Sequence, residues 1–175
     1  MSIARPIHEF DLSLNVSFDV SFDELMMDRA LALAQQAFDD HEVPVGAVVV
    51  DQAGRVIGQG YNQSISCSDP TAHAEIQVLR AAGAYCSNYR LTGASLYVTI
   101  EPCCMCFGAM VHARISRLVY GAPEPRAGVI EGSAVGGLCL PRSGVFNHRF
   151  EITSGVRANQ ARALMQNFFE ARRRR

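Results

Sequence analysis

His73-Ala74-Glu75, followed 28 positions after His73 by Glu101-Pro102-Cys103-Cys104-Met105-Cys106, decides how this chain is read. One imidazole and two thiolates three residues apart can hold a zinc ion by three bonds. The fourth tetrahedral position then stays open for water, which separates a catalytic zinc site from a closed structural one. Glu75 is not needed as a ligand and is free to move protons. Pro102 is a good first residue for a helix, because its missing N–H would be unpaired there anyway. Cys103 and Cys106, at i and i+3, then share a face in the first turn, where the positive helix end favours thiolates over thiols. Pro70-Thr71 is expected to open a second helix with His73 in its first turn. His73 and Glu75 stand roughly 200° apart around a helix. The ion is therefore expected just off the helix end, with Glu75 reaching across it. Cys104, about 100° from Cys103, is expected to turn into the core.

The flanking sequence supplies a scaffold for these two helix starts. Ser21-Phe22-Asp23-Glu24 is a capping box that opens a helix to about Asp39, with Met26 and Met27 on its core side. Pro44 to Val50 and Arg55 to Tyr61 read as a hairpin about Gln52-Ala53-Gly54. The Pro70 helix runs to about Ala82. Ser95 to Ile100 reads as a third strand, the Pro102 helix ends near Ala113, and Leu118 to Tyr120 is a fourth strand. Gly121 to Gly144 is rich in Gly and Pro without periodicity and reads as irregular. Arg149 to Thr153 is a fifth strand and Ala158 to Ala171 a closing helix. This order implies an α/β fold, a five-stranded mixed sheet covered by helices on both sides in three α-β-α layers. Residues 21–175 are expected to form one domain. Residues 1–20 read as an extension without a clear element, in which Phe10, Leu12 and Leu14 alternate.

Composition narrows the class. The chain has 175 residues, 49% of them hydrophobic, enough to bury a substantial core. No apolar run approaches the ~20 residues that cross a bilayer. Met1 to Val20 lacks a basic stretch followed by an apolar one, so no secretory leader and no membrane partner are expected. Three of the six cysteines crowd into positions 103, 104 and 106, which suits a metal better than bridges and points to a reducing cytoplasm. Cys67, Cys86 and Cys139 read as small core or surface residues. His8, His41, His112 and His148 have no motif around them.

The net charge of −1 conceals a gradient. Residues 1–42 carry nine acids and two arginines, and residues 112–175 carry four acids and eleven arginines. All 16 basic residues are arginine, and the last four positions form an unbroken run. The asymmetry suits a polyanionic partner, although such a run alone also describes a solvated tail.

The spacing H-x-E…P-C-x-x-C resembles that of the zinc-dependent nucleobase deaminases. Beyond it, the chain resembles the bacterial tRNA-specific adenosine deaminases of the cytidine deaminase superfamily. The segments that carry this resemblance include Glu42-Val43-Pro44-Val45-Gly46-Ala47, Gly60-Tyr61-Asn62, Asp69 to Ile76, Asn88-Tyr89-Arg90-Leu91, Leu96-Tyr97-Val98-Thr99, Gly108-Ala109-Met110, Asn147-His148-Arg149 and Phe168-Phe169. The resemblance implies a cytidine deaminase-like fold and hydrolytic conversion of adenosine to inosine at the wobble position of a tRNA anticodon. It implies one Zn2+ per subunit on His73, Cys103 and Cys106, with Glu75 as the catalytic proton shuttle. It also implies a tRNA anticodon stem-loop as partner and a homodimer as the assembly. Asn62 is matched to a family asparagine that binds the flipped nucleoside, and the backbone N–H of Ala74 would meet the base edge. Glu124, Arg126 and Phe168 stand at positions that would border the RNA. Pro123 and Pro125 depart from the family pattern there. The same zinc and glutamate would serve a deaminase of a free nucleobase or nucleoside equally well.

Overall fold

The computed structural model describes residues 21–131 and 139–174; the expectations for residues 1–20 and for Arg175 fall outside them. Ser21 caps the first helix as its spacing predicted. Its Oγ accepts the Glu24 N–H at 3.3 Å and its own N–H donates to the Glu24 carboxylate at 3.2 Å. Helix α1, Phe22–Asp39, follows.

The hairpin forms as β1, Gly46–Val50, and β2, Val56–Tyr61. Helix α2, Ala74–Cys86, strand β3, Ser95–Ile100, helix α3, Cys104–Ala113, and strand β4, Arg117–Ala122, come next. A short 3-10 turn at Leu140–Arg142 precedes β5, Glu151–Thr153, and helix α4, Ala158–Arg173. The sheet order is β2-β1-β3-β4-β5. β1 pairs antiparallel with β2 and β3, whereas β3, β4 and β5 run parallel. The expected five-stranded mixed sheet is therefore present.

Alternation along the strands assigns the layers. Val48, Val50, Tyr97 and Val119 bury against Met26, Met27 and Ala30 of α1. Their neighbours Ala47, Val49, Leu96, Val98 and Leu118 bury against Val78 and Ala82 of α2 and Phe107 and Met110 of α3. The side-chain period of two sends consecutive residues to opposite faces, and both faces are covered. Gly46 lets α1 lie directly on β1, because a Cβ there would overlap Ala30 O and Ala34 N. Asp23 joins the α1 start to the sheet. It accepts two bonds from the Arg117 guanidinium at 2.7 Å and one from the Tyr97 hydroxyl at 2.8 Å. These bonds hold its carboxyl below the usual range, Arg117 contributing most.

Several boundaries move. Pro44 lies outside β1, and β5 begins at Glu151 rather than Arg149. Both cysteine- and histidine-bearing helices start later than their prolines suggested, with consequences for the site.

Candidate active site

The chain before α2 is held out of the helix by its own side chains. Asp69 Oδ1 accepts the Thr71 N–H and the Thr71 hydroxyl, both at 2.7 Å, and the His73 N–H donates to Thr71 O at 2.7 Å. Such an Asx turn competes with helix for the same backbone groups. Helix α2 therefore begins at Ala74 rather than Pro70, and His73 is its N-cap, not a first-turn residue. Its far end runs past Ala82 to Cys86, where Ser87 takes a left-handed conformation with φ 49°. Cys103 likewise is the N-cap of α3, which starts at Cys104 rather than Pro102. Neither N-cap side chain bonds the helix backbone. Both are left free to face each other across the gap between the helix ends.

They do so closely. His73 Nδ1 lies 3.7 Å from Cys103 Sγ and 3.5 Å from Cys106 Sγ. The three ligand atoms all fall within 4.8 Å of one another. Tetrahedral zinc with bonds of about 2.0–2.3 Å sets its nitrogen and sulfur ligands roughly 3.5–3.8 Å apart, so the donor set fits that ion in chemistry and spacing. A bond from Cys106, then one with His73, pulls Cys103 down to about 4, while Cys106, as the donor, is pushed up. Cys104, expected in the core, is exposed at the outer side of the α3 start. As the first helical residue it faces away from both the ligands and the sheet.

Glu75 is the second residue of α2 and only 4% exposed. Burial lifts its carboxyl to about 7, with the Cys103 thiolate adding to the rise. It stands outside the His73, Cys103 and Cys106 group, as the two-residue spacing predicted.

Asn62 is buried at the end of β2, and its Oδ1 accepts the Ala74 N–H at 2.7 Å. The amide expected to meet a base edge is thus already engaged. A backbone N–H has one proton to donate, and here Asn62 takes it. The Asn62 Oδ1 is fixed, and its Nδ2 finds no acceptor among the described residues.

The residues expected at an RNA border divide. Arg126 is exposed, and Glu124 is half-buried with Oε1 accepting the Arg126 N–H at 2.9 Å. They line a groove of about 770 Å³ with Arg162, Met165, Phe169 and Arg172 of α4. Phe168 does not join them. It is 4% exposed and packs edge-on against Phe38 of α1, with Arg172 stacked over its ring. Helical rotation turns the next residue outward, so Phe169, 44% exposed, presents the aromatic face.

Two buried carboxylates carry no local sequence signal. Glu42, 1% exposed, accepts the N–H groups of Ile65 and Ser66, the latter at 2.7 Å. Glu101, 3% exposed, accepts those of Glu124, Ile130 and Glu131 at 2.9, 2.7 and 3.1 Å. Both stand in segments singled out above, but nothing local marks a carboxylate as the acceptor for a loop more than 20 residues away.

Comparison with known proteins agrees with this geometry. Residues 20–122 match the family model of the cytidine and deoxycytidylate deaminase zinc-binding region. The chain is 49% identical over 152 residues to the tRNA-specific adenosine deaminase of Haemophilus influenzae, covering 87% of this chain and 86% of that one. A solved tRNA:A34 deaminase that performs A-to-I editing at the wobble position superposes with a TM-score of 0.75 at 41% identity, over 80% of this chain and 98% of that one. A guanine deaminase from Nitrosomonas europaea shares the fold at a TM-score of 0.68 and 25% identity, over 83% of each chain. The metal-ligand cluster at two helix ends and the length of the matches together make this chain a member of the cytidine and deoxycytidylate deaminase family, in its tRNA-specific adenosine deaminase branch.

Proposed function

We propose that this protein hydrolyses adenosine to inosine, with release of ammonia, at the wobble position of a tRNA anticodon. The observation that carries the reading is the convergence of His73, Cys103 and Cys106 with Glu75 buried outside the ligand set, in a chain 49% identical to a tRNA-specific adenosine deaminase. One zinc ion per subunit, held by His73, Cys103 and Cys106, supplies hydroxide at neutral pH when bound.

Glu75 does the proton work. Its carboxylate takes a proton from water as the oxygen adds to C6 of adenine, gives it to the adjacent ring nitrogen, and then carries one to the departing amine. Its burial favours this cycle, because a carboxyl lifted toward neutrality both accepts and releases protons there. Asn62 holds the base. With Oδ1 fixed by Ala74, the amide offers Nδ2 as donor to an acceptor on the flipped nucleoside. Glu124, Arg126 and Phe169 border the anticodon strand, Arg126 meeting phosphate and Phe169 offering a ring to an unstacked base. A tRNA substrate suits the cytoplasm, and no described helix is long and apolar enough to cross a membrane.

A homodimer completes the reading. Ile76, Leu79 and Ala109 on α2 and α3 form an apolar face beside exposed Tyr89 and His112, with none of the described elements over it. A second copy suits that surface.

The test is inosine mapping on an anticodon stem-loop, run beside a panel of free adenosine, guanine and cytosine. Inosine at the wobble position is expected, with free bases left intact. Ammonia from a free base with no action on RNA would overturn the reading in favour of a small-nucleobase deaminase.

A further inference from the structure

We infer that Glu101 is a positioning residue that ties the metal-binding segment to the loop bordering the RNA. The inference rests on the tRNA reading for its kinetic consequence but not for its structural one. Glu101 sits between the end of β3 and the α3 N-cap, two residues before Cys103. Its buried carboxylate collects the loop 123–131. Oε2 accepts from Glu124, and Oε1 accepts from Ile130 and Glu131. Both ends of that loop are therefore gathered on one side chain.

Three further observations show the loop built around this carboxylate. The loop passes so close that a Cβ at Gly128 would overlap the Glu101 carboxylate carbon. Cys103 and Gly128 form an isolated antiparallel bridge, and the Val129 N–H donates to Pro102 O at 3.3 Å. The loop thus lies against the residues that lead into the metal cluster. Its exposed side carries Glu124 and Arg126 into the groove shared with Arg162, Phe169 and Arg172. Glu101 is not among the residues lining that groove and acts through the loop.

The chemistry demands a carboxylate. Three N–H donors converge from two directions, and only a group with two acceptor oxygens and no proton of its own serves both. Glutamine at 101 has one acceptor oxygen. Its NH2 would oppose either Glu124 or the Ile130–Glu131 pair, so one end of the loop is released. Because the loop holds substrate-contacting residues and not the reacting atoms, its release weakens binding before it slows chemistry.

The experiment uses the full-length zinc-loaded protein and an anticodon stem-loop. Glu101→Gln is expected to keep its zinc and to raise KM about tenfold with kcat changed less than about threefold, as expected for losing hydrogen bonds to a charged acceptor. Hydrogen exchange at Glu124, Ile130 and Glu131 should accelerate while exchange in β3 and β4 stays unchanged. Glu101→Asp keeps both oxygens and should restore part of the KM. Gly128→Ala disturbs the same contact from the loop side and should reproduce the KM rise even where Glu101→Gln folds poorly. Retained protection of the three amides, or zinc loss in proportion to activity loss, overturns the inference, as does a fall in kcat at unchanged KM. Should the unaltered enzyme not act on the stem-loop, the substrate reading fails by itself, and the exchange data still decide whether Glu101 holds the loop.

Discussion

The helix ends that carry His73 and Cys103 and the loops that flank them are built by different means. At the helix ends, the three clustered side chains come from two short motifs, and the N-cap placement of His73 and Cys103 is braced by Asn62 on the Ala74 N–H and by the Val129 contact at Pro102 O. The loops at 63–68 and 123–131 carry turn bonds of their own, such as Cys67 N–H to Gln63 O and Gly128 N–H to Glu124 O. They are pinned by Glu42 and Glu101, carboxylates that approach from other parts of the chain. His73, Cys103 and Cys106 are thus brought together chiefly by short motifs, whereas the flanking loops are held by buried acceptors. Changing one of those acceptors is expected to release its loop while His73, Cys103 and Cys106 stay clustered.

That difference can be broken at its strongest point first. Glu75→Gln should keep the ligand set and its zinc while lowering kcat by at least about a hundredfold, the typical worth of a positioned acid–base group. A quench-flow or single-turnover inosine assay beside zinc analysis checks it. Cys103→Ala removes one of three protein ligands, and there zinc content and activity should fall together. Parallel loss of zinc in both variants would erase the separation between proton shuttle and ligand.

Glu42→Gln tests the other flank, with a smaller effect. Two N–H donors share its carboxylate, so KM for the stem-loop should rise by roughly three- to tenfold with zinc retained. A fall in kcat alone would mean that this loop shapes the reacting site itself.

Asp23→Asn probes a region remote from both. The Arg117 and Tyr97 bonds together suggest a loss of about 1.5–3 kcal/mol in chemical unfolding, without change in KM. The carboxyl is lowered in the folded chain from 3.8. Its contribution is therefore complete above 3.8 and is lost as pH falls through the lower folded value, so wild type and variant should begin to converge below 3.8 and meet only beneath the folded value. The smallest effect belongs to the arginine end. Arg173→Ala should reduce the salt dependence of RNA binding by less than about one unit of slope. Arg172→Ala, by contrast, should also cost stability, because Arg172 stacks on Phe168 and donates to His41 O.

The legibility of the chain follows the same division. The capping box at Ser21, the strand alternation and the spacing of His73, Cys103 and Cys106 all depend on neighbours within a few residues, so they could be read directly. The helix starts were misplaced because Pro70 and Pro102 permit a helix without compelling one. Asp69 and the loop contact at Pro102 O hold the chain extended for four and two more residues. Cys104 and Phe168 were misassigned for a related reason. One lies beyond the packed part of its helix, and the other meets Phe38 from a helix 130 residues earlier.

By itself the sequence determined the reaction chemistry and the layer order. Metal ligands, proton carrier and amphipathic period are properties of residue type and short spacing. Tertiary structure alone decided which of the expected contact groups are free. It engaged the Ala74 N–H, buried Phe168, turned Phe169 outward, and enlisted Glu42 and Glu101 as holders of the flanking loops. The physical reason is that a hydrogen-bond donor or an aromatic face can be used only once, and its partner is chosen by proximity in the folded chain.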